Sequence, residues 1–395
     1  MSSAHNSAAD VRSVPLERRA PATRLRGAEA AVARLLAPAG LVLNGPRAVD
    51  PQVHNPDVYT RVLAQGTLGL GEAYMDGWWD CEQLDGFFAR VTAARLDEKL
   101  HPTPALLWLG LEARLRNRQS RARVWRAAQV HYDLDLDIFE ATFDKRLTGS
   151  CGYWAQAADL DAAQEAKLDL VCRKIGLTAG QTVLDIGCGW GAFMGYAAER
   201  YGARCVGVTV SSVQAEYAMR RYAHLPIEAQ VKDYRDFVGA VDHVASMGMF
   251  EHVGSRNYRA YFECARRAVA DDGLFLLHTI FANETFPVID PWLDRYIFPN
   301  GCIPSVHQIA EAVEGLFVIE NVENFGADYD RTLMAWYANF QSNRAEMERR
   351  HGERFCRMWD YYLRCCAGGF RARAINVGHF VLSPKGVPGG WRLRV

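Results

Sequence analysis

The sequence predicts an α/β protein: a doubly wound parallel sheet preceded by a smaller α+β N-terminal domain. Three observations carry this. After Asp161 short apolar, β-branched runs alternate with amphipathic helical ones, the rhythm of right-handed crossovers between parallel strands. Gly187, Gly189 and Gly191 lie between the first such run and the next helical one. At 395 residues the chain exceeds what one hydrophobic core organises, so two domains are expected.

Taken in order, residues 1–26 are polar and small, a disordered lead-in. From Ala28 a helical run leads into GLVLNG, read as a strand ended by a turn. The stretch NPDVYTRVLAQGTLGLGEAYMDGWWD then mixes glycines with Tyr74, Trp78 and Trp79 and completes an N-terminal domain over 27–100. Both tryptophans are expected to be core anchors. Residues 101–126 form a linker and a basic helix: Pro102 and Pro104 interrupt the start, and EARLRNRQSRARVWR carries six arginines, Arg114, Arg116, Arg118, Arg121, Arg123 and Arg126, against Glu112. Such a run is a solvated helix face in its plain reading and an anionic-surface contact in its sharper one.

Residues 127–395 hold the large domain. Leu168, Val171, Cys172 and Ile175 fall on one helix face, closed by Gly176. TVLDIG reads as a strand, WGAFMGYAAERYG as a helix, RCVGVTV as a strand, SSVQAEYAMRRYAH as a helix and IEAQVKD as a strand. VDHVASMGM follows as a strand, YRAYFECARRAV as a helix, DDG as a turn and LFLLHTI as a strand.

Composition narrows the function classes. A formal net charge of -1 argues against a nucleic-acid binder. Ten cysteines without a C-x-x-C pair fit neither a zinc site nor a disulfide framework, which points to a reducing compartment and to no metal. The start of the chain lacks a signal-like apolar region, and no run approaches the roughly 20 apolar residues that span a bilayer. A cytoplasmic protein is expected.

The loop LDIGCGWGAF places glycines where backbone must approach a ligand at the carboxyl edge of the sheet. Its spacing is not G-x-G-x-x-G, and GVTVSSVQ lacks the acid that a dinucleotide reader places on a ribose, so NAD is disfavoured. A second stretch, MGMFEHV, sets Glu251 and His252 directly after Met247, Met249 and Phe250. Chemistry that needs a carboxyl shielded from water would ask for such company.

VLDIGCGWG resembles motif I of the class I S-adenosylmethionine-dependent methyltransferases, whose sheet is Rossmann-like. With it, GVTVSSVQ, VKDYRDF, GMFEHVGSRNY, FLLHTI, DPWLDRYIFPNGCIPSV, NFGADYDRTLMAWY, CCAGGFRAR, HYDLDLDIF and the N-terminal stretch above resemble the bacterial cyclopropane fatty acid synthase family over nearly everything after Leu36. The resemblance implies methyl transfer from S-adenosyl-L-methionine to a cis double bond of a phospholipid acyl chain. A carbocation forms and loses a proton from the new methyl to bound bicarbonate, so the ring closes. Water must stay out, or the cation becomes an alcohol.

Residue by residue, the resemblance assigns the bicarbonate site to Cys151, Glu251, His278, the Ile280 backbone and Tyr329, and the cofactor site to Gly149, Ser150, Asp185, Gly187, Cys188, Gly189, Gly191, Thr209, Gln214, Asp233 and Tyr234. Gln214 would stand in for the missing acid at the ribose. Taken singly, Cys151 could be a buried thiol, His278 a satisfied core histidine and Glu251 a helix cap; His252 is read as structural. One departure stands out: glycines 149 and 152 flank the Ser150-Cys151 pair where the family pattern has tyrosine and alanine. The aromatic inserts, with Trp292, Tyr296, Phe298, Met334, Trp336 and Tyr337, are plain core in their ordinary reading and would line an acyl tunnel in the one the resemblance favours. The implied partners are an unsaturated phospholipid substrate, the surface of the inner leaflet and a second copy of the chain. The alternatives left open are a relative giving a branched or methylene product, and a lipid-binding protein without activity.

Overall fold

The computed structural model describes residues 22–96, 117–119, 135–286 and 288–393, with side chains from residue 26 onward. The N-terminal part contains α1 (Ala22–Leu36), β1 (Gln52–Val53), α2 (Asp57–Met75), β2 (Trp79–Asp80) and α3 (Leu84–Ala93). Ala, Leu and Arg, strong helix formers, fill α1, which begins inside the segment expected to be a lead-in. GLVLNG is not a strand. Asp50, 1% exposed, takes the Val42 N–H at 3.0 Å, and Gly40 and Asn44 turn the chain with φ of 65° and 52°, so this backbone has no ladder to join. β1 and β2 form a short antiparallel ribbon. Trp79 is the core anchor, 1% exposed with its indole N–H on Leu70 O at 3.0 Å. Trp78 instead lies half-buried with the Arg61 guanidinium 4.8 Å from its ring centroid.

The rest of the described chain, beyond residues 117–119, runs α4 (Leu136–Thr142), α5 (Leu160–Ile175), β3 (Thr182–Ile186), α6 (Ala192–Tyr201), β4 (Arg204–Thr209), α7 (Ser212–Arg221), β5 (Ile227–Val231), β6 (His243–Met247), α8 (Tyr258–Ala268), β7 (Phe275–Ala282), α9 (Pro291–Tyr296), α10 (Val306–Val313), β8 (Val318–Asn324), α11 (Ala327–Ser342), α12 (Arg344–His351), α13 (Glu353–Arg371) and β9 (Ile375–Ser383). Seven strands are ordered β5-β4-β3-β6-β7-β9-β8. The first five are parallel, as expected from the alternation. β9, beyond the stretch whose rhythm was legible, inserts antiparallel between β7 and β8 and makes the sheet mixed.

One apolar cluster joins the N-terminal helices to the C-terminal ones, from Val32, Tyr59 and Phe87 to Trp336, Tyr361 and Phe370. At Gly368 an added Cβ would lie 2.6 Å from Phe88 Cβ, so α13 packs almost backbone to backbone on α3. Among the described residues no helix is long and apolar enough to cross a membrane.

Candidate active site

The glycine loop leaves the carboxyl end of β3 and is pinned to β4: the Gly187 and Cys188 N–H groups donate to Val208 O at 2.9 and 3.1 Å. Gly187, Gly189 and Gly191 all adopt positive φ (86°, 50°, 81°), open to glycine at little cost. Their reasons differ. A Cβ on Gly187 would meet Met249 at 2.6 Å and one on Gly191 would meet Ala218 at 2.8 Å, whereas one on Gly189 would meet nothing within 4 Å. Packing explains the outer two; the space beside Gly189 is open. Cys188 turns away from it, its thiol lying 2.7 Å from where a Gly207 Cβ would sit.

Beneath the loop lies a polar knot in which Asp185 and Ser150, both expected from the sequence, meet Lys167 and Gln164, which were not. Asp185, 2% exposed, has an Oδ1 with no hydrogen-bond partner, and burial pushes its carboxyl up to about 7 against the pull of Lys167. Lys167 is itself fully buried and burial pushes its ammonium down to about 8; Nζ donates to Ser150 Oγ at 2.8 Å. Gln164 Nε2 donates to Ser150 O at 2.7 Å. Thus α5 clamps the Gly149–Cys151 segment beside the strand end, and Gly248 (φ 68°) lies against it, its Cβ position 3.7 Å from Ser150 Cβ. The available signal was Gln164 and Lys167 standing four residues before Leu168 and Val171, polar groups on an apolar stripe.

The neighbouring strand ends bring the other expected cofactor residues to the same sheet edge. Thr209 closes β4 and donates to Gln214 Oε1 at 3.2 Å, while Ser211 caps α7. After β5, Asp233 is 1% exposed and both its oxygens are engaged by Arg235. Tyr234 packs edge-on to Tyr261 at 5.3 Å.

MGMFEHV forms the end of β6 and a 3-10 turn over Phe250–His252. Phe250 is fully buried and stacks on Tyr258 at 4.4 Å, which fixes the turn and sends Glu251 inward. Glu251 Oε1 accepts the Ile280 N–H at 2.6 Å; Oε2 is buried with no partner. Burial lifts its carboxyl to about 7, against the hydrogen bond from Ile280. Rather than capping a helix, Glu251 spans to the neighbouring strand. His252 sits 6.0 Å from Phe298, and burial lowers its basicity.

Cys151 is fully buried, its thiol raised well above the usual range by burial and donating to Gly152 O at 3.1 Å. Thr332 Oγ1 accepts the Gly152 N–H at 3.0 Å and the Trp154 indole N–H at 2.9 Å, which ties this loop to α11 one turn after Tyr329. The glycine at 152 has a reason: a Cβ there would touch Ala163 at 3.0 Å. Tyr329 is raised well above the usual phenol range by burial, then by Tyr362, Cys151, Glu251 and Cys366, so these groups share its surroundings. Along β7, Phe275, Leu277 and Phe281 face one core, while Ile280 packs on the opposite cluster that contains Cys151 and Tyr329. His278 shares the Ile280 face. Its imidazole meets His379 Nε2 at 3.0 Å, a partner the sequence reading did not single out.

Of the expected tunnel residues, Trp292 and Trp336 are core: Trp292 lies 4.4 Å from Tyr361 and Trp336 4.5 Å from Phe143, ring to ring. Of the basic run, Arg118 is described and is buried against Asp294 at 2.9 Å; the other five arginines lie outside the described residues.

The family model of mycolic acid cyclopropane synthetases matches residues 119–380. The chain is 48% identical over 361 residues to the cyclopropane-fatty-acyl-phospholipid synthase of Escherichia coli K12, covering 91% of this chain and 94% of that one. It is 32% identical over 352 residues to a probable fatty acid methyltransferase of Pseudomonas putida, covering 84% and 86%. Among solved structures it resembles mycolic acid cyclopropane synthase CmaA1 complexed with SAH and CTAB, with a TM-score of 0.62 and 33% identity over 65% of this chain and 97% of that one. Coclaurine N-methyltransferase, at 23% identity over 80% of this chain and 98% of that one and a TM-score of 0.65, shares the fold. The glycine loop, the buried carboxyl and these likenesses agree, and the chain belongs to the mycolic acid cyclopropane synthetase family of class I methyltransferases.

Proposed function

We propose that this enzyme forms a cyclopropane ring across the cis double bond of unsaturated acyl chains in membrane phospholipids, with S-adenosylmethionine as methyl donor and bicarbonate as base. S-adenosylmethionine, when bound, supplies a methyl carried on a sulfonium, electrophilic enough for an alkene. Bicarbonate, when bound, supplies a base for the proton that leaves the new methyl.

The chain's residues have three tasks. Gly187, Gly189 and Gly191, with Asp185, Ser150, Thr209 and Gln214 around them, hold the donor against the sheet edge; positioning must supply much of the acceleration because an alkene is a weak nucleophile. The aromatic cluster on α11 and α13, on the Ile280 face of the sheet, keeps water from the cation. Glu251, the Ile280 N–H, Tyr329, Cys151 and His278 hold the anion next to developing positive charge, which also stabilises it.

The observation that carries this reading is Glu251. Buried polar atoms are nearly always partnered, yet this carboxyl spends one oxygen on Ile280 N–H and leaves the other without a partner. Its carboxyl, lifted to about 7, can give a hydrogen to an oxyanion or accept one from it. Bicarbonate offers both. The substrate would be met at the inner face of the membrane by a peripheral homodimer, a reading that the Escherichia coli relative's name supports as to phospholipid.

The test is gas chromatography with mass spectrometry of fatty acid methyl esters from cells lacking cyclopropane fatty acids, with and without the gene. The expected product is heavier than its monounsaturated parent by one CH2 and resists mild hydrogenation. A product that hydrogenates readily, or reads as branched, would reassign the fate of the cation; no product would overturn the proposal.

A further inference from the structure

The antiparallel register sets His278 of β7 directly opposite His379 of β9. The rings lie 5.1 Å apart, His278 Nδ1 is 3.0 Å from His379 Nε2, and both residues are at most 1% exposed. Phe325 covers the pair, 5.7 and 4.8 Å from the two rings. Burial, aided by Lys167 and Lys174, drives both imidazoles well below their usual basicity, so both are neutral. Lys174 is engaged with Glu323 Oε2 at 2.5 Å.

Two neutral imidazoles joined nitrogen to nitrogen share a single hydrogen, and the far atom decides whose it is. His379 Nδ1 is buried with no partner. If it carried the hydrogen, an N–H would be orphaned in the core, which native structures rarely tolerate; an orphaned acceptor is the less unusual of the two. The hydrogen of His379 therefore sits on Nε2 and is donated to His278 Nδ1, which leaves the hydrogen of His278 on its own Nε2.

We infer that His379 is a positioning residue that fixes His278 as the Nε2–H tautomer, so that His278 presents a donor, not a lone pair, to an anion held with Glu251 and Tyr329. The identity of that anion rests on the bicarbonate reading. The cross-strand pair gives His278 one orientation and one hydrogen position, as a donor to an oxyanion requires.

The tautomer is read on the resting full-length protein, ring-labelled with nitrogen-15 on histidine, by two-dimensional correlation of ring nitrogens with carbon-bound protons, the His278 signals being assigned with His278→Gln. The expected pattern has the hydrogen on Nε2 of His278 and a bare Nδ1; the reverse overturns the inference whatever the anion. Sodium bicarbonate is then titrated into carbonate-free assays on dioleoyl phospholipid vesicles. His379→Gln retains an N–H for His278 Nδ1 and should keep the tautomer and the bicarbonate KM within about twofold, whereas His379→Leu should raise that KM about tenfold, the value of one lost hydrogen bond, with S-adenosylhomocysteine affinity unchanged. An unchanged bicarbonate KM in His379→Leu overturns the inference. If His379→Leu does not fold, the wild-type tautomer and its retention in His379→Gln decide. Turnover independent of bicarbonate, with the Nε2–H tautomer intact, would overturn the choice of anion and leave the tautomer assignment standing.

Discussion

Replacing Glu251 with Gln should abolish most turnover and yet stabilise the resting fold at alkaline pH. A glutamic acid ordinarily titrates near 4.5, and burial lifts Glu251 to about 7. Between those values the folded protein keeps a proton that the unfolded chain has released. Ionising the buried group therefore costs nothing below about pH 4.5, costs progressively more from 4.5 to 7, and costs its full amount above 7. At about 1.4 kcal/mol per pH unit the full penalty is on the order of 3 kcal/mol. Gln keeps an acceptor for the Ile280 N–H but puts an unpartnered amide where Oε2 lay, a loss of about 1 kcal/mol. The variant should thus match wild type near pH 5 and exceed it by about 2 kcal/mol at pH 8.5. Urea unfolding followed by tryptophan fluorescence in carbonate-free buffer at the two pH values reads this directly. A stability difference that is the same at both would refute the assignment of an uncompensated buried carboxyl. In parallel, methyl transfer should fall on the order of 100-fold or more while S-adenosylhomocysteine affinity stays within about twofold; lost affinity would sink the role given to Glu251.

The glycine loop offers a paired test. Gly187→Ala must push Met249 aside from 2.6 Å and should lower stability by about 2 kcal/mol in a thermal melt. Gly189→Ala, with open space around its Cβ, should cost about 1 kcal/mol for its left-handed backbone yet weaken S-adenosylhomocysteine binding by about tenfold in calorimetry, because its methyl enters the space proposed for the donor; normal binding would mean that the loop assignment is wrong. Lys167→Met removes the donor to Ser150 Oγ and the cation beside Asp185, and should weaken the same ligand about tenfold. Wild-type affinity in that variant would show that the polar knot under the loop serves the fold alone.

What the sequence made legible follows from the range of the interactions involved. The parallel half of the sheet was readable because each strand and helix declares itself within about ten residues, and the glycine loop because φ at Gly187, Gly189 and Gly191 is a local demand. The stretch at Asp50 misled because a side chain eight residues away captured the Val42 N–H that a strand would have used. β9 was silent for another reason. Buried at nearly every position, INVGHFVLS has no alternation to betray it, and its place between β7 and β8 is settled only after α11–α13 return the chain. That placement sets His379 opposite His278, and no spacing between residues 278 and 379 could have announced it. The same holds for Lys167 and Ser150, joined across a turn of chain that folds back on α5. Residues presumed to touch ligands can be read from motifs, since a ligand selects residue types at short spacing. Groups that fix the hydrogens and charges of those residues are chosen by register and burial, so they become visible only when strands are paired.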